Sequence, residues 1–160
     1  YYMGLATERI FLPAVRMFLP EILDYHLPAF GVFHNFCLVR LKKEYPFHAR
    51  KVMHALWGLG QLMFSKFIIV VDEDVNVQNV DEVLFQVGAN VDPRRDCCLV
   101  DGPVDALDHA APHLCAGSKM GIDATRKIPG EGILRDWPPA LQMPDEIKKY
   151  VENRWQLYGI

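Results

Sequence analysis

The densest chemistry in this 160-residue chain lies in "FIIVVDEDVNV", residues 67–77, where an apolar run ends in Asp72, Glu73 and Asp74 with Asn76 close behind. Carboxylates this close can hold a divalent ion, share protons in acid/base work, or form the polar mouth of a strand leaving the core. The D-x-D-x-N start resembles a calcium loop. However, the sixth residue from Asp72 is Val77 where such a loop needs Gly, and the twelfth is Val83 where it needs Glu. The preferred reading is therefore solvated acids, with Asp74 or Asn76 turning the chain and Asn79 or Asp81 capping the next helix. A metal-dependent hydrolase built on Asp72, Glu73 and Asp74 stands as an alternative.

The histidines offer no better metal pattern. His48 and His54 are six apart, too far round a helix for one ion. His109 and His113 are four apart, but Pro112 between them opposes a helix. They read as structural histidines. No G-x-S-x-G, H-E-x-x-H or Walker A pattern occurs. "GSKMGIDATRK", residues 117–127, is more pointed: Gly117 and Gly121 flank Lys119. Glycines let a backbone approach a ligand, and a lysine between them can meet an anion such as phosphate. The residues alone equally allow a β-turn with a surface lysine, and chemistry by itself favours that plainer reading.

These residues need elements to position them. Residues 8–19 read as a short helix with Thr7 as N-cap and Pro13 as a kink or first-turn residue. Residues 21–28 and 32–42 read as strands around a Phe30-Gly31 turn. Residues 45–65 form the clearest helical pattern, with Pro46 at N1, Ala49, Val52, Met53, Leu56 and Trp57 on one face, and Gly58 and Gly60 weakening its end. "FIIVVD" (67–72) has the pattern of a fully buried parallel strand. Residues 79–91 read as an amphipathic helix with Val83, Leu84 and Val87 inward. Cys97–Val100 reads as another buried strand, 117–125 as a shorter one, and 144–159 as a terminal helix after a Pro/Gly-rich stretch. Strand, helix, strand, helix, strand is the βαβ rhythm. The expected fold is an α/β three-layer sandwich, its mainly parallel or mixed sheet covered by helices. The strands at 67–72 and 96–100 should be adjacent or nearly so.

Composition narrows the class. With 51% apolar residues the chain is globular, and its net charge of −3 offers no basic excess for nucleic acid or an anionic membrane. No apolar run approaches the roughly 20 residues that span a bilayer. Cys37, Cys97, Cys98 and Cys115 show no C-x-x-C spacing and read as buried thiols of a reducing, cytoplasmic compartment. The chain opens at Tyr1 with no initiator Met or signal-peptide layout, which suggests a piece of a longer protein.

Five motifs in order then point to a family: "YPFHARKVMHALWGLGQLMFSKFIIVVDEDVNV", "VDPRRD", "GPVDALDHAAP", "GSKMGIDATRK" and "RDWP". The series resembles the C-terminal domain of UbiD-type decarboxylases, from about Ala6 to the end. "GPVDALDHA" is similar to members serving menaquinone synthesis. The resemblance implies a non-oxidative carboxy-lyase of aromatic or α,β-unsaturated acids that uses prenylated FMN with Mn²⁺ and K⁺. In the family, the metal ligands, catalytic Arg and proton donor lie upstream. No catalytic or metal residue is therefore expected here, and the chain alone should bind no cofactor and be inactive. Residues 1–30 would be an arm or linker from a missing upstream catalytic domain, and 31–160 the C-terminal α/β domain. By the same resemblance, Lys119 matches the lysine that reaches the cofactor phosphate. The partners expected are the upstream domain, sister subunits in a homo-oligomer, and a small aromatic acid. A free-standing protein-interaction domain of the same fold is the other alternative.

Overall fold

Runs of β-branched and aromatic residues set the strands, and the faces they bury decide where the helices go. The computed structural model describes residues 1–139, 141 and 143–159. Five strands, β1 (Ile22–His26), β2 (Phe36–Leu41), β3 (Phe67–Asp72), β4 (Cys97–Pro103) and β5 (Ala116–Asp123), form one sheet in the order β1-β2-β3-β5-β4. The central pairs β2·β3 and β3·β5 are parallel, while the outer pairs β1·β2 and β4·β5 are antiparallel. β2 and β3 are apolar on both faces because both faces are covered. Cys37, Val39, Leu41, Ile68 and Val70 meet Val15 of α1 (Tyr2–Phe18) and Ala49, Val52, Met53 and Leu56 of α2 (His48–Trp57). Leu38, Ile69 and Val71 meet Val83 of α3 (Val80–Asn90) on the other side. This is the expected three-layer α/β sandwich. A short α4 (Pro93–Asp96) precedes β4, and α5 (Asp145–Glu152) buries none of its residues.

β3 and β4 are separated by β5 alone, so the expectation for 67–72 and 96–100 holds. Several local expectations are corrected. Thr7 does not cap α1: the helix already starts at Tyr2, and Thr7 Oγ1 donates back to Met3 O at 2.9 Å. Pro13 neither starts nor ends it, because packing of Val15 and the wholly buried Glu8 holds the helix through the missing donor. Pro46 is not at N1 of α2. Phe47 takes a left-handed φ of 61° and the helix begins at His48, while a 3-10 turn at Gly60–Phe64 follows its end at Gly58. The strand expected over 32–42 starts only at Phe36, since Val32 and Phe33 are left-handed. Leu84 is exposed rather than inward. β4 is a half-buried edge strand, with Leu99 70% exposed, and not a buried one. A four-residue apolar run cannot by itself distinguish an edge from a centre. Finally, β1 is hydrogen-bonded to β2, so the sheet reaches back across the boundary expected at residue 31.

Candidate functional site

The acidic mouth of β3 is closed by the chain's own arginine. Asp72 ends the strand, and its Oδ2 accepts from Arg126 N at 2.7 Å and Arg126 Nε at 3.1 Å. Asp74 Oδ1 accepts from Arg126 Nη2 at 2.5 Å. Burial pushes the Asp72 carboxyl up, against the opposing pull of Arg126. Glu73 is exposed. Asn76 Oδ1 accepts from Gln78 N, and Asn79 Oδ1 accepts from Glu82 N at the start of α3. The expected turn and cap are thus observed, but the acids are not all solvated as expected: Asp72 is buried and paired with Arg126. No group of three His, Cys, Asp or Glu side chains converges as a metal site among the described residues.

Two further buried ion clusters sit at this carboxyl end, and the sequence reading missed both. Lys127 donates to Asp123 O at 2.8 Å, and its ammonium lies 3.0 Å from the Asp123 carboxylate and 3.3 Å from that of Asp96. Asp96 is also gripped by Arg95, at 2.7 Å. Lys43 donates to Glu131 Oε2 at 2.5 Å, while Glu131 also accepts from Phe47 N and Ile128 N. Burial pushes Glu131 up, but these donors outweigh it and hold the carboxyl below its ordinary 4.5. The available signal was the Arg126-Lys127 pair three residues after Asp123 ends β5, two cations where carboxylates already crowd the strand ends.

Lys119 lies in β5 and not in a turn. It is 2% exposed, donates its ammonium to Met63 O of the 3-10 turn, and lies 5.9 Å over the Trp57 ring. Among the described residues no carboxylate pairs with it, and burial lowers its basicity. The flanking glycines serve packing. A Cβ on Gly121 would come within 2.5 Å of Met53 Sδ and 2.9 Å of Cys98 Sγ, and one on Gly117 within 3.2 Å of Ala111 Cβ. They let α2 and the 110s loop approach the strand, which is the role sequence reasoning gave to a ligand. Where Lys119 would face a phosphate, its donor chemistry fits: an ammonium with a single carbonyl acceptor has N–H groups to spare.

The histidines with clear partners are structural. His48 stacks on Tyr45, accepts from Glu44 N on Nδ1 at 3.2 Å, and therefore offers Nε2–H to Glu21 at 3.2 Å. His26 pairs with the wholly buried Glu8, which also accepts from Leu27 N. His109 and His113 lie in the irregular segment between β4 and β5. The four cysteines are unpaired, but only Cys37 is buried as expected, with Cys97 and Cys98 half-buried and Cys115 exposed.

Comparison with known proteins agrees with this layout. The profile of the 3-octaprenyl-4-hydroxybenzoate carboxy-lyase C-terminal domain (UbiD_C) matches residues 1–124. An uncharacterized protein of Aquifex aeolicus (strain VF5) is 52% identical over 159 residues, 99% of this chain and 33% of that protein. One from Archaeoglobus fulgidus is 47% identical over 155 residues, 96% of this chain and 32% of that one. The chain thus spans about a third of the length of the curated relatives it matches. Among solved structures, vanillic acid decarboxylase of Sedimentibacter hydroxybenzoicus in its closed form superposes with a TM-score of 0.80 and 26% identity, over 90% of this chain and 30% of that one. The UbiD-class enzyme HmfF from Pelotomaculum thermopropionicum, in complex with FMN, gives 0.70 and 29% over 92% and 32%. With the family profile matched over all five strands and the whole sheet shared with UbiD-class enzymes, the chain belongs to the UbiD carboxy-lyase C-terminal-domain family.

Proposed function

We propose that this chain is the cofactor-closing and oligomerising part of a prenylated-FMN-dependent carboxy-lyase acting on an aromatic or α,β-unsaturated acid. The observation that carries this reading is the match of the whole sandwich to a vanillic acid decarboxylase and to an FMN-bound UbiD-class enzyme, each about three times its length. When bound, the cofactor would supply the electron sink for loss of CO₂. This chain's own share is narrower. Lys119 would donate to the cofactor phosphate across the interface with an upstream domain, its unneutralised buried ammonium being the reason to expect an anion there. Mn²⁺ and K⁺ are assigned no ligand in this chain, and the acid/base residues are placed outside it, so the chain alone should be inactive. The acid would be of quinone-precursor type, as "GPVDALDHA" and the carboxy-lyase family description suggest.

Association rests on exposed apolar surface. Met3, Ile10, Met17 and Phe18 of α1 and Tyr150, Trp155 and Leu157 near α5 are all at least half exposed, and these faces would pack against the upstream domain and sister subunits. No helix among the described residues is long and apolar enough to cross a membrane. The unpaired cysteines fit a cytoplasmic location.

The test is loading of a protein that carries both this chain and the upstream region of its relatives. With prenylated FMN it should release CO₂ from an aromatic acid, whereas the 160-residue chain alone should not. Release by the chain alone at a rate above the protein-free control would overturn the division of labour. Lys119→Ala in the longer protein should weaken cofactor binding by roughly one to two orders of magnitude, since a charge-assisted bond is worth ~1.5–3 kcal/mol. Full flavin occupancy and unchanged affinity would remove Lys119 from the site.

A further inference from the structure

The two edges of the sheet are finished differently. β1 forms one edge, and the chain's own side chains occupy its outer backbone groups. Tyr25 O accepts from Arg9 Nη2 at 2.9 Å and from Gln78 Nε2 at 3.4 Å, and just past the strand Leu27 N donates to the buried Glu8. β4 forms the other edge, and among the described residues its backbone bonds to β5 alone.

The register identifies the groups left over. Opposed residues in an antiparallel ladder alternate between exchanging both backbone bonds and exchanging neither. Val104 N donates to Cys115 O, which makes Gly102–Gly117, Val100–Lys119 and Cys98–Gly121 the bonded pairs further along. The N–H and C=O groups of Cys97, Leu99 and Asp101 therefore point away from the sheet. An edge of this kind is a template for another strand unless a lysine, a bulge or a covering segment blunts it. β4 has none of these: its register with β5 runs unbroken from Cys97 to Pro103, it carries no Lys or Arg, and Leu99 is 70% exposed. Pro103 lies beyond the free groups and removes no donor from them.

The charges select the occupant and its direction. Asp101 is the one charged residue of β4 and lies toward its carboxyl end, where it holds the Ser118 hydroxyl and no cation. Arg94 precedes the amino end, exposed and without an acidic partner among the described residues, whereas Arg95 is taken by Asp96. A second copy laid parallel would set like charges together. Laid antiparallel, it brings the Arg94 end of each copy to the Asp101 end of the other. With a two-fold axis at Leu99, Cys97 stands opposite the other copy's Asp101, every free group of both strands gains a partner, and the two Leu99 side chains cover each other. Such a contact is isologous and closes at two copies. We propose that β4 is a self-pairing edge, through which two copies of this chain join antiparallel at Leu99 and continue one sheet across both. This names a surface for the association inferred above and rests on that reading only in expecting a homo-oligomer.

The experiment combines sedimentation of the isotope-labelled 160-residue chain over a range of concentrations with amide hydrogen exchange read by NMR. The chain should form a dimer. The amides of Cys97, Leu99 and Asp101, which bond nothing within the chain, should be protected in the dimer and exchange freely on dilution to monomer. Leu99→Pro removes an N–H that β5 does not use, and Leu99→Lys sets two ammonium groups across the axis. Since the axis doubles each loss, either variant should weaken dimerisation roughly tenfold or more, with the far-ultraviolet circular dichroism unchanged. Should Leu99→Pro unfold, Leu99→Lys at this exposed position decides. Arg94→Asp should weaken the dimer at low salt, and Asp101→Arg added to it should restore it. A dimer with those amides unprotected, or one that survives Leu99→Lys, overturns the edge and leaves the oligomerising reading standing on another face. A chain that stays monomeric overturns both.

Discussion

Two buried lysines lie eight residues apart on either side of the end of β5, and they are opposite in kind. Lys127, with a side chain 1% exposed, sits between the carboxylates of Asp96 and Asp123. Lys119 is as deeply enclosed but has only the Met63 carbonyl and the face of Trp57. The first is neutralised and ties α4 and the 120s loop to the sheet. The second is a buried cation without a counter-ion, an arrangement that opposes folding. The same contrast runs across the sheet. The carboxyl ends of the parallel strands, the usual ligand position in open α/β sheets, are filled by Arg126, Lys127 and the Lys43–Glu131 pair. The amino ends hold the unpaired lysine. Charge that is fully paired reports structure, and polarity left unpaired points to something that binds.

The contrast breaks most sharply at Lys127. Lys127→Met leaves two buried carboxylates facing each other and should destabilise the chain by about 3–5 kcal/mol in urea unfolding. A loss below about 1 kcal/mol would mean the cluster is hydrated and not structural. Glu131→Gln comes next, at about 2–3 kcal/mol, because it leaves the Lys43 ammonium, whose side chain is only 5% exposed, with neutral acceptors alone, Thr125 Oγ1 and Arg126 O among them.

The second variant also carries a pH signature. Glu131 is held below its ordinary 4.5 in the folded chain, so its stabilisation is present above pH 4.5 and is lost as pH falls through the folded-state value. Glu131→Gln should flatten the stability profile in that acid window and leave its slope near neutrality unchanged.

Lys119→Met sharpens the comparison from the other side. Removing an uncompensated buried charge should be neutral or stabilising by up to about 1 kcal/mol, the reverse of Lys127→Met. A loss like that at Lys127 would show Lys119 to be a structural lysine. The smallest effect is expected at Asp74→Asn. This exposed pair with Arg126 should change unfolding free energy by less than about 0.5 kcal/mol.

How much was legible differed by residue. The run at 67–72 was readable as a central strand because a strand covered on both faces tolerates five apolar positions in a row before its terminal Asp72. The turn at Asn76 and the cap at Asn79 followed from side chains that bond their own backbone, which is local chemistry. Leu84 and β4 were misjudged because burial depends on what lies opposite, and α3 does not extend over Leu99. Pro46 and Thr7 misled because the starts of α1 and α2 are set by distant partners. Glu131, 84 residues further along the chain, holds Phe47 N, and buried Glu8 anchors α1 to Leu27 N.

By itself the sequence determined the layers, the strand and helix order and the family resemblance, since these rest on periodicity and on motifs whose order survives without coordinates. Only the tertiary structure decided the roles of the charged residues. Whether a lysine meets a carboxylate, a carbonyl or open solvent depends on contacts 45 or more residues away, as for Lys119 and Met63 or Lys43 and Glu131. The same holds for Gly121, whose missing side chain makes room for Met53 and Trp57 of α2 and not for a ligand. A spacing in the chain states which residues are near in sequence. Electrostatic pairing and steric room are set by which residues are near in space, and those appear only once the sheet has closed over its helices.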